Sequence, residues 1–166
     1  MQPQSFYQIV AEDFAAVDSI IKQQLSSRIP LVEKIGDYII SAGGKRLRPL
    51  LVLLAGNAVG KKDDDLRLLA AIIEFLHTST LLHDDVVDKS DLRRGRSTAN
   101  AKWGNAPSVL VGDFLYARSF EMMVRLGSLP VMDIISQATR VIAEGEVLQL
   151  TKVRDASTSE ETYMEV

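Results

Sequence analysis

Residues 83–95 read His-Asp-Asp-Val-Val-Asp-Lys-Ser-Asp-Leu-Arg-Arg-Gly. Three carboxylates, Asp84, Asp85 and Asp88, fall within five residues at the end of a long apolar run, and Arg93 and Arg94 follow. Acids this dense repel one another unless a cation holds them. Hard divalent cations such as Mg²⁺ take oxygen ligands and are commonly shared with substrate phosphates. Paired arginines suit a bidentate grip on phosphate oxygens. The combination points to a diphosphate substrate.

On a helix, Asp84 and Asp88 are four residues apart and share a face, with Asp85 about 100° round. The bland alternative is a solvated helix end. Acids at a helix C-terminus oppose its dipole, however, and a bound cation offsets that cost. His77 lies two turns before Asp84 on the same face, where it could donate to a second phosphate. On position alone, a core histidine satisfied by backbone is the commoner arrangement. His83 sits off that face and is given no role.

A second basic cluster occurs at Gly43-Gly44-Lys45-Arg46-Leu47-Arg48-Pro49. Glycines let backbone approach an anion, and helix N-termini attract phosphate. The spacing is not that of a P-loop. Either basic cluster alone would pass for a solvated turn; their occurrence with an acidic triad in an apolar chain is the signal. Weaker features are Asp113, as a buried hydrogen-bonding group, and Glu144, Glu146 and Gln149, as the edge of a cavity. Met122, Met123 and Met132 read as core or interface fillers.

These residues need a helical scaffold. The apolar pattern is helical almost throughout, with no strand alternation. It predicts a first helix from Phe6 to Leu25, a second opened by Pro30, and a third opened by Pro49 after the glycine turn. A fourth runs from Asp64 to Asp88. Residues 88–105 read as a polar, basic loop. Pro107 and Pro130 open a fifth and a sixth. Ser157 and Thr158 with Glu160 and Glu161 read as a capping box for a seventh. A chain stopping one turn into a capped helix reads as part of a longer polypeptide.

The 166 residues suffice for one domain, 1–166, with a real core. A net charge of −3 argues against bulk nucleic-acid binding. The absence of cysteine excludes disulfides and thiolate chemistry and fits a reducing cytosol. No signal peptide is read at the start, and the uninterrupted apolar stretches are too short to span a bilayer.

Asp84-Asp85-Val86-Val87-Asp88 followed by Arg93-Arg94-Gly95 resembles the first aspartate-rich motif of trans-prenyl diphosphate synthases. The glycine–basic cluster, Val109-Leu110-Val111-Gly112-Asp113-Phe114-Leu115 and Glu144-Gly145-Glu146-Val147-Leu148-Gln149-Leu150 are similar to that family too. The resemblance implies an all-α helical bundle of the isoprenoid synthase type, here its N-terminal portion of about six helices plus the start of a seventh. It implies Mg²⁺-dependent head-to-tail condensation of isopentenyl diphosphate with an allylic diphosphate such as farnesyl diphosphate. Asp84, Asp85 and Asp88 would hold Mg²⁺, and Arg93 would contact the allylic diphosphate. Lys45, Arg48, His77 and Arg94 would hold isopentenyl diphosphate. A cytoplasmic homodimer with a membrane-seeking quinone side-chain product is the family's usual setting.

Product length is read from Ser79 and Thr80, one turn before Asp84, roughly 6 Å along the helix axis. Short-chain members of the family carry bulky aromatics there, so small residues imply a long product, near C40. The family's second aspartate-rich motif and its Lys-Thr pair are absent, so the 166 residues alone are expected to turn over little substrate. Three rival readings stand beside this one. A class I terpene cyclase shares the acidic motif but not the Gly-Gly-Lys-Arg-Leu-Arg cluster. A metal phosphohydrolase would use the His83-Asp84 pair with further ligands. A non-catalytic helical subunit fits a chain with half the site missing.

Overall fold

The computed structural model describes residues 5–42 and 44–165, so Gly43 of the basic motif lies outside the described residues. The elements, in chain order, are α1 (Phe6–Ile9), α2 (Ala11–Gln24), α3 (Pro30–Ile40), α4 (Leu47–Ala58), α5 (Asp64–Val87), β1 (Leu92–Arg93), β2 (Arg96–Ser97), α6 (Ala99–Trp103), α7 (Asn105–Leu126), α8 (Leu129–Lys152) and α9 (Glu160–Glu165). The all-α expectation holds. The described residues form two compact units, one ending at Leu126 and one beginning at Gly127.

In the first unit α5 is the central helix, packed against α7, α4 and α2. It starts cleanly because the Asp63 carboxylate accepts a hydrogen bond from the Leu66 amide at 2.9 Å. Its inward stripe is Ala71, Ile72, Phe75, Ser79, Leu82 and Asp85, each with essentially no exposure. That spacing of three and four residues is the period of one helical face. By length and hydropathy α5 alone, among the described residues, could cross a membrane, but half of that stretch is buried among its neighbours. An Asp13–Arg67–Asp64 cluster, with ion pairs of 2.8 and 2.7 Å, joins α2 to its first turns.

The α5–α7 seam is close because small groups line it. Ser79 Oγ donates to the Gly112 carbonyl at 2.8 Å, and Ser108 Oγ donates to the Leu82 carbonyl at 3.2 Å. A Cβ at Gly112 would collide with the His83 ring. His83 Nε2 lies 3.2 Å from both the Val109 carbonyl and Asp113 Oδ1, so His83 has a packing role. The Asp113 side chain is 61% exposed, which corrects its reading as a buried group.

Other departures have local causes. The first helix divides at Val10, whose φ of −119° and ψ of 20° leave the helical region while its side chain stays buried. The 88–105 segment holds a hairpin and a short helix. Arg94 and Gly95 both have positive φ and form the two-residue turn that right-twisted strands prefer. Leu92 pairs with Ser97 and Arg93 with Arg96. Two-residue strands are too short for alternation to register in a sequence.

The second unit contains α8 and α9. Ser128 caps α8 by accepting from the Val131 amide. At α9 the cap is Ser159, which accepts from the Thr162 amide at 3.2 Å, in place of the expected Ser157 and Thr158. Glu144 is exposed and pairs with Arg140 at 2.7 Å, and Glu146 and Gln149 are not enclosed by this unit.

Ser79, expected to help set product length, has its side chain fully buried against α7. Replacing Ser79 with Phe should destabilise the protein by about 1–3 kcal/mol through overpacking. Urea unfolding measures this, and unchanged stability would show that the seam has space.

Candidate active site

A cavity of about 440 Å³ opens in the first unit, lined by Gly44, Lys45, Arg46, Arg48, Glu74, His77, Thr78, Leu81 and Arg94, with Ile39, Ile40 and Leu47. It collects Lys45, Arg48, His77 and Arg94, the four residues expected to hold one diphosphate. Each arrives by a different local device. Arg48 comes from the first turn of α4, and Lys45 from the turn between α3 and α4. There Arg46 adopts a left-handed backbone conformation, rare for a residue with a side chain. Asp18 of α2 holds the Arg46 guanidinium, and Tyr7 donates its hydroxyl proton to the Lys45 carbonyl.

Arg94 reaches the cavity from the tip of the β1–β2 hairpin. Its guanidinium packs against Gly44 so closely that a Cβ there would collide with it. The glycine turn therefore serves a side-chain approach from the opposite wall.

From α5 come Glu74, His77 and Leu81, and the same spacing of three and four continues to Asp84 and Asp88. One polar stripe thus runs from the cavity to the helix end. Arg48 Nη1 lies 3.2 Å from His77 Nε2. Guanidinium is always a donor, so Nε2 accepts and the ring proton sits on Nδ1. Burial, then the charges of Arg48, Arg94 and Arg93, push His77 down from 6.5 to about 4. At neutral pH it is an uncharged imidazole within a cationic wall.

The aspartates divide into two groups. Asp84 is half-buried and Asp88 is exposed at the C-cap of α5, whose amide bonds the Asp84 carbonyl at 2.8 Å. Asp85 belongs to the inward stripe. It is fully buried and grips Arg93, whose Nε lies 2.9 and 3.0 Å from its two oxygens and whose Nη2 lies 2.8 Å from one of them. Expected as a metal ligand with Asp84 and Asp88, Asp85 directs its oxygens at the Arg93 guanidinium, one residue round the helix from the stripe. No group of three metal-ligating side chains converges among the described residues. Asp84 and Asp88 offer hard oxygen donors at a helix end that repels anions, which suits a divalent cation completed by other ligands.

Sequence reasoning misses two charged lining residues. Arg46 stands inside the quoted basic motif without a role. Glu74 is legible as the residue three before His77 on the same face. Burial raises the Glu74 carboxyl above its ordinary range, while Arg46, Arg48 and Arg94 pull against that. Ser79 and Thr80 do not line this cavity.

The fold and site define a class. Residues 29–166 match the Polyprenyl synthetase family, and the chain belongs to it. It is 54% identical, over its full length, to the octaprenyl diphosphate synthase of Escherichia coli, of which it covers 51%. It is 50% identical to an all-trans-nonaprenyl-diphosphate synthase (geranyl-diphosphate specific) of Rhodobacter capsulatus, over 95% of this chain and 49% of that one. The chain spans about half the length of the curated relatives it matches. Among solved structures, a decaprenyl diphosphate synthase from Rhodobacter capsulatus superposes with a TM-score of 0.93 at 51% identity, over 96% of this chain and 50% of that one. A polyprenyl synthase from Caulobacter crescentus, complexed with calcium and isoprenyl diphosphate, also gives 0.93, at 45% identity over 98% of this chain and 52% of that one. The fold is that of the isoprenoid synthases.

The His77 environment yields a pH prediction. Its folded value lies below the unfolded one, so between pH 6.5 and about 4 the folded protein binds fewer protons than the unfolded chain. Stability from this group is complete above pH 6.5 and falls as pH drops through that window. An NMR titration should place the His77 midpoint near 4. His77→Asn should flatten part of the acid decline in unfolding free energy; a midpoint at 6.5 or above would refute the assignment.

Proposed function

We propose that this chain is the N-terminal part of a trans-prenyltransferase that joins isopentenyl diphosphate to an allylic diphosphate. The observation that carries the reading is the convergence of Lys45, Arg48, His77 and Arg94 on one cavity, joined along α5 to Asp84 and Asp88. The cavity's cations suit the negative charge of one diphosphate, and His77 Nδ1–H adds a neutral donor. We assign that diphosphate to isopentenyl diphosphate, and Arg93, held by Asp85, to the allylic partner.

Asp84 and Asp88 would hold Mg²⁺, which when bound supplies positive charge that stabilises the departing diphosphate. The protein's own contribution is placement. Arg93 is oriented by a buried carboxylate, so its remaining donors point at a fixed place where negative charge grows as the allylic C–O bond breaks. The isopentenyl double bond forms the new C–C bond, and loss of a proton restores an alkene. The apolar cavity residues Ile39, Ile40 and Leu81 would exclude water from the carbocationic carbon.

The relatives' names support a long product, near C40, and we extend the reading to a role in supplying quinone side chains, to farnesyl diphosphate as primer and to a homodimer in the cytoplasm. Product length then falls to Thr80, half-buried one turn before Asp84, its hydroxyl donating to the His77 carbonyl at 2.9 Å.

Two experiments test this on the full-length protein. Condensation of labelled isopentenyl diphosphate with farnesyl diphosphate should require Mg²⁺ and drop at least about 100-fold in Asp84→Asn, as for loss of a strong transition-state charge contact. Consumption of the allylic substrate without isopentenyl diphosphate would favour a cyclase, and phosphate release from a nucleotide a phosphohydrolase. Thr80→Phe should fold and shorten the product on chromatography; an unchanged product distribution would remove Thr80 from the channel.

A further inference from the structure

The β1–β2 hairpin carries Arg93 and Arg94, yet two-residue strands do not hold a shape alone. Its root is tied to α5 and α6. Asp85 holds Arg93, Thr98 Oγ1 donates to the Ser90 carbonyl at 2.7 Å, and Asn100 Nδ2 donates to the Asp85 and Ser90 carbonyls at 3.2 and 3.1 Å. Strand β2 needs a separate anchor, and it finds one in Tyr38 near the C-terminus of α3.

Tyr38 Oη donates to the Ser97 carbonyl at 2.7 Å. The Arg96 guanidinium lies 4.7 Å from the Tyr38 ring centroid, and Lys102 Nζ lies 4.5 Å from it. Trp103 meets the ring edge-on at 4.9 Å. Arg96 also donates to the Ser41 carbonyl at 3.3 Å. These distances fit cation–π and edge-to-face aromatic contacts. Ser41 begins the turn that leads to Gly44, Lys45 and Arg48. One side chain therefore spans the two arms of the cavity: the hairpin with Arg94, and the end of α3 with the basic turn. The arms meet where Arg94 packs on Gly44.

We propose that Tyr38 is a positioning residue that sets the separation between Arg94 and the basic turn, and so tunes the cavity for a diphosphate. Tyr38 is not among the residues that line the cavity. It acts through Arg94, whose left-handed backbone conformation is one that an arginine would leave if β2 were released. The proposal rests on the diphosphate reading of the cavity.

A double-mutant cycle tests it, with metal-free inorganic pyrophosphate as the calorimetric probe. Arg94→Ala should weaken binding about 30-fold and Tyr38→Ala about tenfold, the latter being ~1.4 kcal/mol. In the double variant the Tyr38 effect should vanish, leaving affinity within about twofold of Arg94→Ala, since a residue acting through another is non-additive with it. Tyr38→Phe keeps the ring and loses the Ser97 bond, and should cost about threefold. It carries the same cycle should Tyr38→Ala unfold. In the full-length enzyme KM for isopentenyl diphosphate should rise with affinity while kcat moves less. Multiplying effects in the double variant would overturn the positioning role and leave the diphosphate reading standing. Undiminished pyrophosphate binding by Arg94→Ala would overturn both.

Discussion

The ion pair between buried Asp85 and part-exposed Arg93 is the constraint around which the cavity is arranged. Asp85 occupies a position in the inward stripe of α5 that is otherwise apolar or small. A carboxylate there is costly without a partner, and bringing charges out of water offsets much of their attraction. The gain is geometric. A guanidinium held through two of its nitrogens by both carboxylate oxygens has little rotational freedom, so Arg93 and the root of the hairpin are fixed relative to the end of α5. Removing Arg93 would strand the Asp85 carboxylate as an uncompensated charge in the core.

From that anchor follows the distribution of charge. Lys45, Arg46, Arg48 and Arg94 line one cavity and repel each other. Asp18 answers Arg46 directly, and Glu74 supplies negative charge from within the lining. His77 contributes by staying neutral, accepting from Arg48 without adding to the repulsion. The cations come from two elements that cannot rearrange independently: a turn pinned at Tyr7 and Asp18, and a hairpin pinned at Asp85 and Tyr38.

Much of this is legible in the sequence because it depends on periodicity. The spacing of residues 77, 84 and 88 places His77 on the aspartate face, and the proline starts mark the helices. What is not legible shares one cause. Facing direction at single-residue resolution depends on which neighbour packs where. Asp85 and Ser79 fall on the buried side because α7 and the hairpin cover it, and no local pattern announces that. Asp113 reads as buried because its neighbours in sequence are apolar, yet its own side chain points outward. The hairpin leaves little local mark because one of its anchors is Tyr38, 59 residues from its bonding partner Ser97.

The division of the aspartates also bears on how a cation would be held. Two carboxylates, Asp84 and Asp88, supply fewer oxygens than an octahedral Mg²⁺ requires. The remainder must come from water, from substrate phosphate or from groups beyond the described residues. On the proposed reading such a site is weak until diphosphate arrives, because the ligand completes the coordination shell and brings the opposing charge. The C-terminus of α5 sharpens this dependence, since its dipole adds negative potential that favours the cation and disfavours a bare phosphate. Metal and allylic diphosphate would therefore bind with mutual reinforcement, each raising the affinity for the other by the same factor. On the same reading, the cavity around His77, walled by arginines, would need no metal to attract its own diphosphate. One helix face can thus present two diphosphate sites of opposite electrostatic design.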